Sequence, residues 1–290
     1  MGIDINTAKF LISAYEDGVR FDRTITLGRL TLFVDEQNCE VLQKQLDRTV
    51  AQSKKLTAKG LAEPLFEALG ATQLDSMDRS DFEGATVLHD LNFPINAQQH
   101  QQFDVVCDGG TLEHIFNFPT AIQNAMEMVK VGGHLLIHTP TNNWSGHGFY
   151  QFSPELYYRV LSEENGFRVK RMVVYEVGTN QWYEVADPAN VRSRVYVVNG
   201  CRTSLLILAE RIKAVPINQT PPQQSDYALI KWNYANTEAA KPSAAISLKQ
   251  RIKAIVLPIL QQVKAIRQSL SGRKPSYFSQ NQQFFTPVDR

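Results

Sequence analysis

The chain has 290 residues, with 30 Lys+Arg against 29 Asp+Glu, a formal net charge of +1, and 43% hydrophobic and 20% charged residues. That composition excludes collagen-like, disordered and disulfide-scaffold proteins, and it allows one large domain plus an appendage. The charge is uneven: nine basic residues and one acid fall from Ala239 onward, which leaves the first 238 residues with a net of −7.

The first twenty residues carry Asp4, Glu16 and Asp17 and no continuous apolar core, so they do not read as a signal peptide. No stretch approaches the roughly 18 uncharged apolar residues that span a bilayer. Cys39, Cys107 and Cys201 are odd in number and far apart, as expected of reduced thiols. A cytoplasmic protein is the expectation. A helical pattern over 6–17 (Ala8, Leu11, Ile12, Tyr15) precedes a short β-branched run, RTITL at 23–27, closed by Gly28. Further strands are predicted at 71–77, 85–89, 103–107, 133–138, 167–175 and 204–209. They are mostly apolar runs without clean alternation, as in sheets covered on both faces. Helices are predicted between them. One covers 61–71 and ends at Gly70, and another starts at Pro119 and is stopped by Gly132 and Gly133. A third covers 153–167 behind Ser153 and Pro154, and a short one follows Asp187 and Pro188. Alternating β and α units predict a doubly wound, mostly parallel α/β sheet, which binds ligands at the carboxyl ends of its strands.

The residues at those ends are informative. The first strand ends at Gly28, the second in Asp78, the third in Asp90-Leu91, the fourth in Asp108-Gly109-Gly110, and the fifth in His138-Thr139-Pro140. A carboxylate after the second strand can accept two hydrogen bonds from vicinal ribose hydroxyls, and one after the third can take an adenine amine.

FDVVCDGGTLEHIFNFPTAIQNAMEMVKVGGHLLIHTP at 103–140, continued by NNWSGHGFYQFSPELYYRVLSEENGF, resembles the class I S-adenosylmethionine-dependent methyltransferases. The resemblance covers roughly residues 20 to 210. It implies a Rossmann-like seven-stranded sheet in the order 3-2-1-4-5-7-6 with the last strand antiparallel. It also implies S-adenosyl-L-methionine as cofactor, with Gly28 in the cofactor loop, Asp78 on the ribose, Asp90 and Leu91 beside the adenine, and Asp108 and Gly109 beside the methionine. Two departures stand out. TLGRL keeps one glycine where the family has three, and only 11 residues separate Asp78 from Asp90, too few for the usual helix. The pocket is therefore either remodelled or degenerate. A nicotinamide site, using the same sheet, needs G-x-G-x-x-G and an acid about 20 residues on; here one glycine stands alone.

All six histidines fall between 89 and 147. No metal centre is expected, because there is no H-E-x-x-H and no C-x-x-C, and His134 and His138 lie roughly 13 Å apart along a strand. Glu113 and His114 follow the fourth strand and His147 sits between Gly146 and Gly148 after the fifth, so His147 or His114 is the expected base, with Glu113 orienting it. Trp144, Phe149, Tyr150, Trp182 and Tyr183 are the expected aromatic rim for the acceptor.

The expected domains are a methyltransferase-like body at 1–213, a Pro/Gln-rich linker or wrapping segment at 214–245, and a basic amphipathic helical tail at 246–290 broken by Pro258. The tail's stripe over 246–270 suits docking on the body or a subunit, or an anionic membrane surface. The acidic body argues against a nucleic-acid substrate, which calls for clustered cations. The expected activity is methyl transfer to a small-molecule or glycan-like acceptor. The alternative is a non-catalytic Rossmann-like module that recruits a partner or membrane through its tail.

Overall fold

A computed structural model describes residues 2–51, 53–229 and 276–288. The chain opens with β1 (Gly2–Ile3), α1 (Ile5–Glu16), β2 (Arg23–Leu27), β3 (Thr31–Leu32), α2 (Glu36–Thr49) and α3 (Glu63–Ala68). Then follow β4 (Gln73–Asp78), β5 (Val87–Leu88), β6 (Phe103–Gly109), α4 (Phe118–Met128), β7 (Val129–Asn142) and α5 (Pro154–Val160). Next come β8 (Phe167–Glu176), β9 (Tyr183–Val185), α6 (Pro188–Val191), β10 (Thr203–Arg211), α7 (Ser225–Leu229), a one-turn helix Tyr277–Gln280 and β11 (Phe285–Pro287).

Nine strands form one sheet in the order β11-β9-β8-β10-β7-β6-β2-β4-β5, and β1 pairs separately with β3. The five strands β5-β4-β2-β6-β7 are parallel, and β10 inserts antiparallel between β7 and β8. Numbered from β2 as the first, those seven strands run 3-2-1-4-5-7-6, so the chain has the Rossmann-like methyltransferase fold. The expected strand count was two short: β9 and β11 extend the sheet beyond β8, antiparallel to their neighbours.

Apolar side chains on both faces of the sheet build two cores. On one face Ile25, Leu27, Val106, Leu135 and Ile137 meet Ala121, Ile122 and Ala125 of α4 and Tyr157 of α5. On the other, Val105, Cys107, Leu136, Val173 and Leu206 meet Phe10 and Leu11 of α1, Leu42 and Leu46 of α2, and Phe66 of α3. Asp4 caps α1 by accepting from Thr7 N at 2.7 Å, and Asp35 caps α2 through Asn38 N. Buried Arg211 donates to the carbonyls of Met126, Glu127 and Val129, satisfying the last turn of α4.

Three local expectations are corrected. Helix α4 ends at Met128, before Gly132 and Gly133, and those glycines lie in an irregular stretch of β7; a Cβ on Gly133 would stand 2.8 Å from Asp104 O. Helix α2 was not anticipated at all. β4 and β5 are parallel despite a connection of only eight residues. The short span suffices because β5 pairs only with Met77 and Asp78, so the chain turns back by two residues, pinned where Ser76 N donates to Thr86 Oγ1 at 2.9 Å.

Residues 276–288 fold onto the body. Phe278 and Phe285 are fully buried in the core, and Val288 N donates to Trp182 O. The amphipathic stripe over 246–270, and the linker beyond residue 229, lie outside the described residues. No helix among the described residues is long and apolar enough to cross a membrane.

Candidate active site

The carboxyl edge of the parallel strands gathers most of the residues singled out from the sequence. Gly28 leaves β2 with φ +74°, in the left-handed region, and its N–H donates to Met77 O at 2.7 Å, tying the first loop to the end of β4. Asp78, half-buried at that end, accepts among the described residues only a long bond from Ser80 N at 3.3 Å. Asp90 is already engaged: its Oδ1 accepts from Asn92 N and Nδ2, its Oδ2 lies 3.5 Å from Arg79 Nε, and the two Asn92 bonds, first among the causes, hold its carboxyl below the usual range. Leu91 is buried in the core and its carbonyl accepts from Asn124, so it has little face to offer a ring.

At the end of β6, Asp108 is fully buried, with Oδ1 accepting from Thr111 N at 2.7 Å and Oδ2 without a hydrogen-bond partner among the described residues. Burial pushes its carboxyl well up from the ordinary value. Gly109 does approach a neighbour closely, but that neighbour is protein: a Cβ there would stand 2.8 Å from the Leu30 side chain. Thr111 Oγ1 donates to Leu27 O at 2.6 Å. Leu30 and Thr111 thus narrow the space between the ends of β2 and β6. Beside it, Arg29 pairs with Glu63 at 2.7 Å and donates to Glu83 O. It borders a cavity of about 200 Å³ lined by Thr26, Leu74, Ser76 and Thr86.

The strongest convergence follows β6 and β7. The turn Leu112–His114 presents Glu113 inward and His114 outward. Across from it, the loop at 143–152 folds back so that Phe149 N and Tyr150 N both donate to Glu113 O, at 2.9 and 3.2 Å. Gly148 permits this contact, since a Cβ on it would lie 2.9 Å from Glu113 O. The loop delivers His147 Nε2 to 3.7 Å from Glu113 Oε1 and sets its ring 5.0 Å from that of His114. The Glu113 side chain is 2% exposed and that of His147 45%. Burial, then the nearby Asp108 charge, pushes the Glu113 carboxyl up, and burial followed by His147 lowers the His114 imidazole. Trp144 stands against His147 at 4.9 Å, fixed by Nε1 donating to Thr203 O and by Arg202 over its ring. Tyr150 stacks on Phe152 and donates to Phe116 O, so it serves the loop's packing.

Two aromatic expectations are corrected: Trp182 is buried against Phe10 and donates to Asn6 Oδ1, and Tyr183 packs on Phe278, so neither joins the rim. A chain that sequence reasoning missed runs from Asp4 through Tyr175 to His138. Tyr175 OH donates to Asp4 Oδ2 at 2.8 Å and lies 2.9 Å from His138 Nε2. Because the phenol has one proton, His138 must donate at Nε2, leaving its buried Nδ1 as a lone pair with no partner among the described residues. Linear spacing rules likewise overlook the grouping of Glu113, His114 and His147, whose ligand atoms all lie within 4.8 Å of one another.

Two carboxylates have acceptor capacity of the kind S-adenosylmethionine would use. Asp78 is half-buried and has acceptor capacity for ribose hydroxyls, and Asp108 Oδ2 has no hydrogen-bond partner among the described residues but is itself buried. At Gly109 the fit is occupied by Leu30.

No protein-family profile and no curated protein matches the sequence. Among solved structures, the chain is similar to TehB from Haemophilus influenzae (TM-score 0.38, 14% identity, 70% of this chain and 62% of that one). It is also similar to the N-methyltransferase NodS from Bradyrhizobium japonicum WM9 in complex with S-adenosyl-L-homocysteine (TM-score 0.39, 13% identity, 71% and 86%). A third is the branched-chain polyamine synthase from Thermus thermophilus in complex with N4-aminopropylspermidine and 5'-methylthioadenosine (TM-score 0.38, 11% identity, 74% and 58%). The chain spans less than two thirds of the length of TehB and of the synthase.

Proposed function

We propose that the chain is an S-adenosylmethionine-dependent methyltransferase acting on a small-molecule or saccharide acceptor. The observation that carries this reading is the half-buried Asp78 carboxylate, nearly unengaged, at the end of the second parallel strand beside the left-handed Gly28 turn. In a doubly wound sheet that is where a ribose is held.

When bound, S-adenosylmethionine supplies an electrophilic methyl group on sulfonium. Asp78 would hold the ribose and Asp108 the amino-acid end. The acceptor side is the rim of Glu113, His114, His147 and Trp144. There the half-buried Trp144, with Arg202 over its ring, would add apolar surface beside the acceptor, and the exposed imidazole of His147 would take a proton from an acceptor hydroxyl. Gly148 and the Glu113 carbonyl fix the loop that carries it, a rigidity that would help to align an acceptor for an in-line displacement.

Calorimetric titration with S-adenosylmethionine and S-adenosylhomocysteine tests the reading, followed by a methyl-donor assay on cell extract with product mass analysis. Saturable heat supports it. No heat from either ligand at high micromolar concentration overturns it and leaves the non-catalytic module, a reading favoured by Leu30 against Gly109.

A further inference from the structure

We infer that Glu113, His114 and His147 form a binding site for one divalent transition-metal ion at the rim of the carboxyl edge. The three side chains come from two segments more than thirty residues apart, yet their ligand atoms lie within 4.8 Å of one another. Ligands at about 2.0–2.2 Å from a tetrahedral ion stand roughly 3.3 Å from each other. The 3.7 Å between Glu113 Oε1 and His147 Nε2 is already near that spacing. The remaining closure asks only that exposed imidazoles turn, and both histidines are exposed.

Three further features point to a ligand. Glu113 Oε2 is buried and has no hydrogen-bond partner among the described residues. The turn and the loop are clamped together by two amide bonds onto one carbonyl, which sets the mutual placement of the donors before any ion arrives. Gly148 brings backbone so near that a Cβ would lie 3.2 Å from His114 Nδ1, so the loop is shaped around the pair of residues. Two imidazoles and one carboxylate suit Zn²⁺, Fe²⁺, Co²⁺ or Mn²⁺ rather than the all-oxygen cages of Mg²⁺ or Ca²⁺. With three protein ligands on one side and solvent on the other, the ion keeps open positions, the mark of a substrate-binding rather than a structural centre. Those positions would take oxygen atoms of the acceptor, polyhydroxylated or acidic, alongside Trp144; with its lone pair on the ion His147 would no longer be the base, and the ion would acidify the bound hydroxyl instead. That last role rests on the methyltransferase reading; the binding of the ion does not.

The test uses the full chain, stripped with chelator and titrated with Co²⁺ and then Zn²⁺ in the absence of any methyl donor. One equivalent of Co²⁺ with d–d absorption, displaced by Zn²⁺, is expected. His114→Ala, His147→Ala and Glu113→Gln should each weaken binding by more than about 100-fold, beyond what loss of a merely orienting residue causes. His100→Ala serves as control, since His100 sits 3.3 Å from Glu127 as an ordinary pair without a third ligand; it should leave binding unchanged. Absence of the Co²⁺ spectrum, or stoichiometric binding that survives the paired His114→Ala, His147→Ala variant with an unaltered melting transition, overturns the site. The same protein, kept in chelator, is titrated separately with S-adenosylhomocysteine, so failure of the cofactor reading and failure of the metal site give different results.

Discussion

Gly148 lies so close to Glu113 that an added Cβ would come within 2.9 Å of its carbonyl oxygen and 3.2 Å of its Cγ. Both neighbours are held, the carbonyl by two amides and the side chain by burial, so neither can yield cheaply. Gly148→Ala is expected to cost about 1–3 kcal/mol, the range for forcing one extra group into a packed site. It should also swing His147 away from Glu113. Denaturant melts read the first effect, and the His147 ring resonances the second. Unchanged values for both would mean the loop has room that the distances deny.

Asp78→Ala should separate binding from stability. Among the described residues the carboxylate accepts one long hydrogen bond, from Ser80 N, so its loss should leave the melting temperature nearly unchanged. Cofactor affinity should fall by about 1.5–3 kcal/mol, the worth of hydrogen bonds to a charged group. Titration calorimetry on the variant decides, and equal affinity would remove Asp78 from the ribose.

The C-terminal strand is expected to be part of the folding unit. Phe285 is fully buried among Phe278, Tyr277 and Phe284. Phe285→Ala should therefore destabilise by about 3–5 kcal/mol. A urea midpoint equal to that of the parent chain would show that the strand contributes nothing to the core.

His138 gives a pH dependence of definite sign. Burial holds its imidazole below the ordinary 6.5, with Asp4 opposing and His147 assisting. The unfolded chain therefore binds the extra proton first, so this residue's contribution to stability is intact above pH 6.5 and declines as pH falls from there toward the folded value. His138→Gln keeps a donor toward Tyr175 without titrating. The stability advantage of the parent over this variant should shrink between about pH 7.5 and pH 5. A constant difference across that range would mean His138 is protonated as easily in the fold as outside it.

The sheet was legible in the sequence because its strands are continuous apolar runs punctuated by Gly28, Gly70 and Gly166, and their order followed from the resemblance. Helix α2 was harder: Cys39, Leu42 and Leu46 carry its buried face, and Asp35 is a capping residue, but the surrounding Glu, Gln and Lys mask that stripe. Strands β9 and β11 are three residues each and pair across a hundred residues, which local pattern does not reveal. At the site, the aspartates could be placed by their position after each strand. What fills the space between them could not: Leu30 against Gly109 is a matter of side-chain packing. The same holds for Asp4, Tyr175 and His138, joined over 171 residues by hydrogen bonds alone.

The two borders of the large sheet are unusually meagre. One is β5, two residues long; the other is β11, three residues long and ending in Pro287, which has no amide hydrogen to offer. Border strands this short, one of them closed by a proline, give a foreign strand little length of their own to zip onto, and what outer main chain remains belongs to β4 before Met77 and β8 before Val173.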